Sequence, residues 1–301
     1  MTTPPVYEVA TIATGILFGE GPVWSDNATV VCTAVAGGCL HQIWPEQGRS
    51  EVLAVTGAGP NACAPAIDGA FLVTQNGGID FSLHPMPGFD AFPPLVPQAP
   101  GIQYVSSGGE VSYLATHTTD GTRLRAPNDL VTTPEGVVYF TDPGLHPLPP
   151  EPAGHVMRMD LDGSVTVVAG PFEYCNGIAL DHEGRLILVE GPGLMVLDPD
   201  GSTRWLIDDL GAPADGMAVD VDGRIYACCP MKSQIQVVDP DGSIQSAIDF
   251  PEWSFPTNCC FGGADGRTLF VTLSVAQTVA AIVGLPAPGR PVHPWPGSNA
   301  R

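Results

Sequence analysis

The sequence predicts an all-β fold, a six-bladed β-propeller with a metal site at its centre, as one domain over residues 1–301. Three observations lead there. A short apolar run, a tight turn and a second β-rich run recur six times, at intervals of roughly 40 residues. A further turn series, Asp160-Leu-Asp-Gly163, Asp198-Pro-Asp-Gly201 and Asp239-Pro-Asp-Gly242, adds a second hairpin to the unit, and two hairpins make a four-stranded blade. One position in every copy carries an oxygen side chain: Glu20, Asn61, Asn128, Asn176, Asp215 and Asn258. The chain has only seven asparagines, and four of them occupy this one position.

The elements follow in chain order. Residues 6–13 form an extended apolar run before the first unit and are expected to complete the last blade, since closing the ring hides strand edges. The units then run from Glu20 to a turn at Asn27, and from Asn61, Asn128, Asn176, Asp215 and Asn258 to turns at Gly69, Gly136, Gly184, Gly223 and Gly266. Glycine is the residue for such turns because it adopts positive φ without steric cost. The interval from Gly69 to Gly136 is longer than the rest, and residues 79–110 are read as an inserted lid loop, Pro-rich and poor in charge. Residues 286–301 are expected to form an irregular strap or a frayed end. Thirty-six glycines and thirty-two prolines leave no room for long helices.

Composition narrows the function. The formal charge is −21, with Lys232 as the one lysine beside ten arginines. Such a surface repels nucleic acid and anionic membranes, so neither is expected as a partner. A small molecule is, and the pattern selects no oligomeric state. Eight cysteines lie mostly in apolar strand-like runs without C-x-x-C spacing, which favours reduced, buried side chains and a cytoplasmic location over a thiolate zinc site. The N-terminal stretch lacks the basic and apolar regions of a signal peptide, and no apolar run reaches the length of a membrane span.

The six oxygen-bearing positions begin the innermost strands of a propeller and converge on one mouth of its channel. Two carboxylates and up to four carboxamides suit a hard cation such as calcium, which takes six to eight oxygens; no histidine stands in the ring, which argues against a zinc site. A lone asparagine there would simply cap a turn, but turn capping does not explain glutamate and aspartate at the same position. Asn61 and Asn258 are the weaker ring members, placed against substrate, behind the ligands, or in turns.

The same residues carry a family resemblance. Phe18-Gly-Glu-Gly-Pro-Val-Trp24, Arg125-Ala-Pro-Asn-Asp-Leu-Val131, Tyr139-Phe-Thr-Asp-Pro143, Cys175-Asn-Gly-Ile-Ala179, Asp215-Gly-Met-Ala-Val-Asp220 and Pro256-Thr-Asn-Cys-Cys-Phe-Gly-Gly263 resemble the senescence marker protein/gluconolactonase/luciferin-regenerating enzyme family, over residues 7–285. The resemblance implies a six-bladed propeller with a divalent ion in the channel, most often calcium, with zinc, manganese or magnesium as other choices. It implies Glu20, Asn128, Asn176 and Asp215 as the ligands and lactone hydrolysis as the reaction. A related branch resembling diisopropyl fluorophosphatase cleaves phosphorus esters, and paraoxonase is a further relative. Some members that act on sugar lactones place an arginine two residues before the asparagine matching Asn128. This chain has Ala126 there, with Arg125 and Arg123 nearest.

In the expected mechanism the ion polarises the lactone carbonyl and Asp215 takes the proton of the attacking water, with Asp129 as the other carboxylate within reach of that role. Strand alternation turns Asp129 away from the side that Asn128 faces. Asn61, Arg125, His146 and Asn258 are the substrate-binding candidates; His84 and His155 also lie in or near Pro-rich segments. Cys175 stands beside Asn176 but has no paired base to make it a nucleophile. Three readings stand beside lactone hydrolysis: an organophosphate or aryl-ester hydrolase on the same site, a non-hydrolytic metal-dependent isomerase or lyase, and a non-catalytic calcium-binding propeller.

Overall fold

In a computed structural model that describes residues 7–144 and 149–297, strand β1 (Val9–Thr14) stands apart from the strands that follow it in sequence. The next four strands, β2 (Gly19–Ser25), β3 (Thr29–Ala34), β4 (Cys39–Trp44) and β5 (Arg49–Val55), form blade one. Blade two is β6 (Pro60–Pro65), β7 (Phe71–Gln75), β8 (Gly101–Val105) and β9 (Val111–Ala115); blade three is β10 (Leu130–Thr132), β11 (Val138–Asp142), β12 (Gly154–Met159) and β13 (Val165–Phe172). Blade four holds β14 (Cys175–Leu180), β15 (Leu186–Glu190), β16 (Gly193–Leu197) and β17 (Thr203–Ile207); blade five holds β18 (Met217–Val219), β19 (Ile225–Cys229), β20 (Gln234–Val238) and β21 (Ile244–Asp249). Blade six takes β22 (Pro256–Gly262), β23 (Thr268–Leu273) and β24 (Thr278–Ile282), and β1 pairs antiparallel with β24 to complete it. The expected closure of the ring by the N-terminal run is therefore observed from Val9 onward.

The turn chemistry explains the register. Gly136, Gly184 and Gly223 have φ of 82°, 81° and 88°, and each amide donates to the carbonyl three residues back. In blade one the equivalent position is Ala28, at φ 54°, whose amide donates to Ser25. The sequence reading placed this turn at Asn27; the structure moves it by one residue, because the left-handed conformation is held by alanine and so carries no glycine signal. At the second turn series, the amides of Ser164, Ser202 and Ser243 donate to the side chains of Asp162, Asp200 and Asp241 at 3.0, 2.9 and 2.9 Å, which is why Asp-Gly-Ser recurs there.

Apolar strand faces pack blade against blade. Val31, Leu40, Val73 and Val105 join blades one and two; Leu72, Ile102, Phe140 and Met159 join two and three; Val156, Cys175 and Leu188 join three and four. Val189 and Ala227 join four and five, Tyr226 and Val271 join five and six, and Phe270 and Val30 close the circle. All eight cysteines are buried and free. Neighbours in sequence serve different interfaces: Cys228 packs with blade six and Cys229 with blade four, as strand alternation requires.

Two segments leave the repeat. The insertion expected over 79–110 occupies residues 76–100 instead, since Gly101–Val105 is a regular strand of blade two. The tail is a strap. Val221 and Gly289 donate to Pro288 and Gly266, Arg290 to Val219, and Trp295 exchanges backbone bonds with Pro65 and Ile67 on the far side of the ring. Trp295 is 2% exposed and packs edge-on to Tyr104, so the strap ties blades five and six to blade two. Among the described residues, no helix is long and apolar enough to cross a membrane.

Candidate active site

The repeat position stands where each innermost strand begins. In blades one, two, four and six the antiparallel register slips there, between Glu20 and Val23, Pro60 and Cys63, Cys175 and Ile178, and Pro256 and Asn258. Such bulges re-aim side chains. Threonines on the second strands then grip the next blade: Thr33 Oγ1 donates to the Asn61 carbonyl at 2.6 Å, Thr141 Oγ1 to the Asn176 carbonyl at 2.6 Å, and Thr74 Oγ1 to the Asn128 carbonyl. Small residues follow the ring position where the blades crowd. A Cβ on Gly177 would stand 2.3 Å from the Asp215 carbonyl, and one on Gly216 2.0 Å from Asn258 Cγ.

Five of the six ring residues, Glu20, Asn61, Asn128, Asn176 and Asp215, line one cavity of about 440 Å³ at a mouth of the channel. Asn258 does not. It lines a separate space of about 140 Å³ inside the channel, bounded by the innermost strands and by Arg290 and His293 of the strap. Its Nδ2 donates to Asp129 Oδ2 at 3.4 Å and its Oδ1 accepts from the Cys259 amide at 2.8 Å. Asp129 faces the same inner space, on the other side of its strand from Asn128, as alternation predicts.

Hydrogen bonds orient the carboxamides. Asn61 Nδ2 donates to Asn128 Oδ1, and Asn76 Nδ2 donates to Asn61 Oδ1 at 2.9 Å. Asn176 Nδ2 donates to the Tyr174 hydroxyl at 2.8 Å. Tyr174 and Asn76 were missed at the sequence level. Tyr174 had a signal, lying two residues before Asn176 and hence on the same side of the strand. Asn76 lies off the repeat and had none. Arg125 is not among the described residues that line the cavity; its side chain lies against Gly144 and its amide donates to Asp142 Oδ2 at 2.8 Å. His146 lies outside the described residues, while His84 reaches the cavity wall.

The electrostatics are those of acid groups gathered without counter-charge. Burial raises the proton affinity of Glu20 well above a normal carboxyl's, and nearby Asp215 adds to it; the Gly21 amide, 2.9 Å from Oε2, works the other way. Asp215 is raised by burial and then by Asp129, with Asn176 opposing. Asp129 is pushed up to about 7 by burial, against hydrogen bonds from Leu130 and Asn258. No lysine or arginine is among the described residues lining the mouth cavity. Among the described residues no group of three or more His, Cys, Asp and Glu side chains could hold a metal ion, so a cation here needs the asparagine oxygens as well. That donor set, two carboxylates with carboxamides and an uncompensated negative charge, fits a hard divalent ion.

Comparison with known proteins places the chain in a family. The model of the SMP-30/Gluconolactonase/LRE-like region matches residues 18–275. A gluconolactonase from Zymomonas mobilis is 26% identical over 304 aligned positions, covering 88% of this chain and 79% of its own. A 6-deoxy-6-sulfogluconolactonase from Pseudomonas putida is 26% identical over 274 positions, covering 86% and 84%. Among solved structures, a calcium-binding protein, regucalcin, from Agrobacterium tumefaciens superposes with a TM-score of 0.76 at 19% identity, over 98% of this chain and 99% of that one. The last likeness is one of fold.

Proposed function

The chain belongs to the SMP-30/gluconolactonase/LRE-like family, and from that premise we propose that it is a divalent-metal-dependent hydrolase that opens a lactone. One observation carries the reading: Glu20 and Asp215 share the floor of one cavity, each with raised proton affinity, and no lysine or arginine is among the described residues that line it. Glu20, Asn128, Asn176 and Asp215 would hold the ion, with calcium the best match to the donors. When bound, a divalent cation supplies a Lewis acid for the carbonyl and for the oxyanion that water attack creates.

The protein's own groups do the rest. Glu20 is 3% exposed and, with the cation beside it, would serve as a fixed charge. Asp215 is only partly buried and borders the open cavity, so it is the carboxylate that entering water can reach. It accepts the water proton as the new bond forms from the water oxygen to the acyl carbon. The ring carbon–oxygen bond then breaks and the leaving oxygen takes a proton back, giving the hydroxy acid. Tyr174 holds the Asn176 carboxamide, and the chain from Asn76 through Asn61 holds that of Asn128, so the floor is ordered before substrate arrives.

The test is lactonase assay after chelation. Protein treated with EDTA is expected to be inactive and to recover with calcium. Asp215→Asn is expected to fold normally and to lose turnover by about 100-fold or more. Full activity in metal-free protein, or wild-type turnover in Asp215→Asn, overturns the proposal.

A further inference from the structure

The walls above the carboxylate floor are apolar, and they are constructed rather than loose. The inserted segment 76–100 leaves blade two through Asn76, whose amide donates to Gly59, and returns through Gln98, whose amide donates to Gly77. Between these ties two short turns, Phe81–Leu83 and Phe89–Ala91, present their phenylalanines inward. Phe18 of the first unit packs on Phe81, Phe89, Phe92 and Phe255 with ring centroids 4.9, 5.6, 5.5 and 6.3 Å apart. This aromatic cluster is separate from the six that join the blades.

Ile79, Phe81, Met86 and Phe89 from the insertion face the cavity from one side, with Phe255 and Met231 from other loops. His84 is the one polar side chain that the described part of the insertion brings to the wall. Asp80 is spent on its own turn, accepting from the Ser82 amide at 3.1 Å and hydroxyl at 2.6 Å. Asn76 is spent on Asn61 and on the Gly78 amide.

A polyhydroxylated lactone would press its hydroxyls against these rings. Each buried hydroxyl left without a partner weakens binding by roughly tenfold. An apolar substituent gains instead, by roughly fourfold for each methylene removed from water. A cavity of about 440 Å³ also has space for a substituent beside the lactone ring. The geometry points to a lactone that carries an aryl or alkyl group, its carbonyl on the carboxylate and carboxamide floor and its apolar part against Phe89, Phe81 and Met231. This assignment rests on the lactonase reading above and names its substrate class.

Two measurements test it and separate it from that reading. In turnover with calcium, kcat/KM for dihydrocoumarin and δ-decalactone is expected to exceed that for glucono-δ-lactone by about tenfold or more. Phe89→Ala and the partly exposed Met231→Ala are each expected to lower kcat/KM for dihydrocoumarin by about fivefold to tenfold, and by a larger factor than they lower the glucono-δ-lactone value. In calorimetry, which needs no turnover, the lactam analogue dihydroquinolinone is expected to bind more tightly than gluconolactam, and Met231→Ala to weaken it. If no lactone is hydrolysed but the apolar lactam binds in this way, hydrolysis falls and the apolar-ligand assignment stands. Preference for glucono-δ-lactone or gluconolactam, or failure of the apolar lactam to bind, overturns the assignment.

Discussion

The floor of the cavity and the segment above it are built by opposite rules. The floor takes one residue from each of five different blades, at the same place in a repeat, and all five are polar. The covering segment is a single insertion in blade two, present once, and four of its five cavity-lining side chains are apolar. Below, like charges are buried together and their proton affinities rise. Above, the aromatic rings of Phe81 and Phe89 pack edge to face, 5.4 Å apart at 86°, with no charge to satisfy. The repeat is thus suited to hold an ion, which needs donors from several directions. A unique insertion is suited to choose a ligand, because it can vary without disturbing the equivalent positions of the other blades.

The largest expected effect tests the floor. Glu20→Gln removes one of two ring carboxylates, and calcium affinity by calorimetry should fall by at least about 100-fold. The metal-free variant should melt no lower than the parent, since a buried like charge has gone. Met231→Ala, in the wall, should leave calcium affinity within about twofold. Loss of calcium binding in the wall variant, or its retention in Glu20→Gln, would erase the division between the proposed ion site and the proposed ligand site.

A smaller effect sharpens the role of the support beneath the floor. Tyr174→Phe removes the hydroxyl that accepts from Asn176 Nδ2 and leaves the ring packing in place. Calcium affinity is expected to drop about tenfold, the usual cost of losing an orienting partner behind a metal ligand. An unchanged affinity would show that packing alone orients Asn176.

The smallest effect is a slope with pH. Asp129 stands at about 7 in the folded protein against about 4 in an unfolded chain. A carboxyl shifted upward favours folding while protonated, so its contribution is complete below about pH 4 and is lost as pH rises to about 7. Glu20 and Asp215 shift in the same direction. Metal-free protein should therefore melt several degrees lower at pH 8 than at pH 5, with a shallower slope in saturating calcium, which favours the ionised carboxylates. Substitutions at Met231 or Phe89 should not change that slope; a melting temperature that rises with pH in the metal-free protein would contradict it.

Much of the floor was readable from Glu20, Asn61, Asn128, Asn176 and Asp215 because spacing in a repeat encodes position around a ring. Asn258 shares that spacing and yet turns into the inner channel, where it meets Asp129 across the ring. Spacing cannot report a side-chain direction that depends on which neighbour is close. The limits of the insertion were misplaced for a related reason: residues 101–105 read as loop because they follow a Pro-rich run, but they pair with Phe71–Gln75. The strap was legible only as an alternative, since its anchoring residue, Trp295, finds its pocket between blades two and three, far away in sequence.

By itself the amino-acid order determined the blades, their number, the turn glycines and the ring of oxygens, because each depends on local alternation and a period of fixed length. Tertiary contact alone decided which ring members share a cavity, how far Glu20 and Asp215 hold their protons, and what covers them. Burial and the proximity of like charges arise between segments tens to hundreds of residues apart, and no local pattern records those distances.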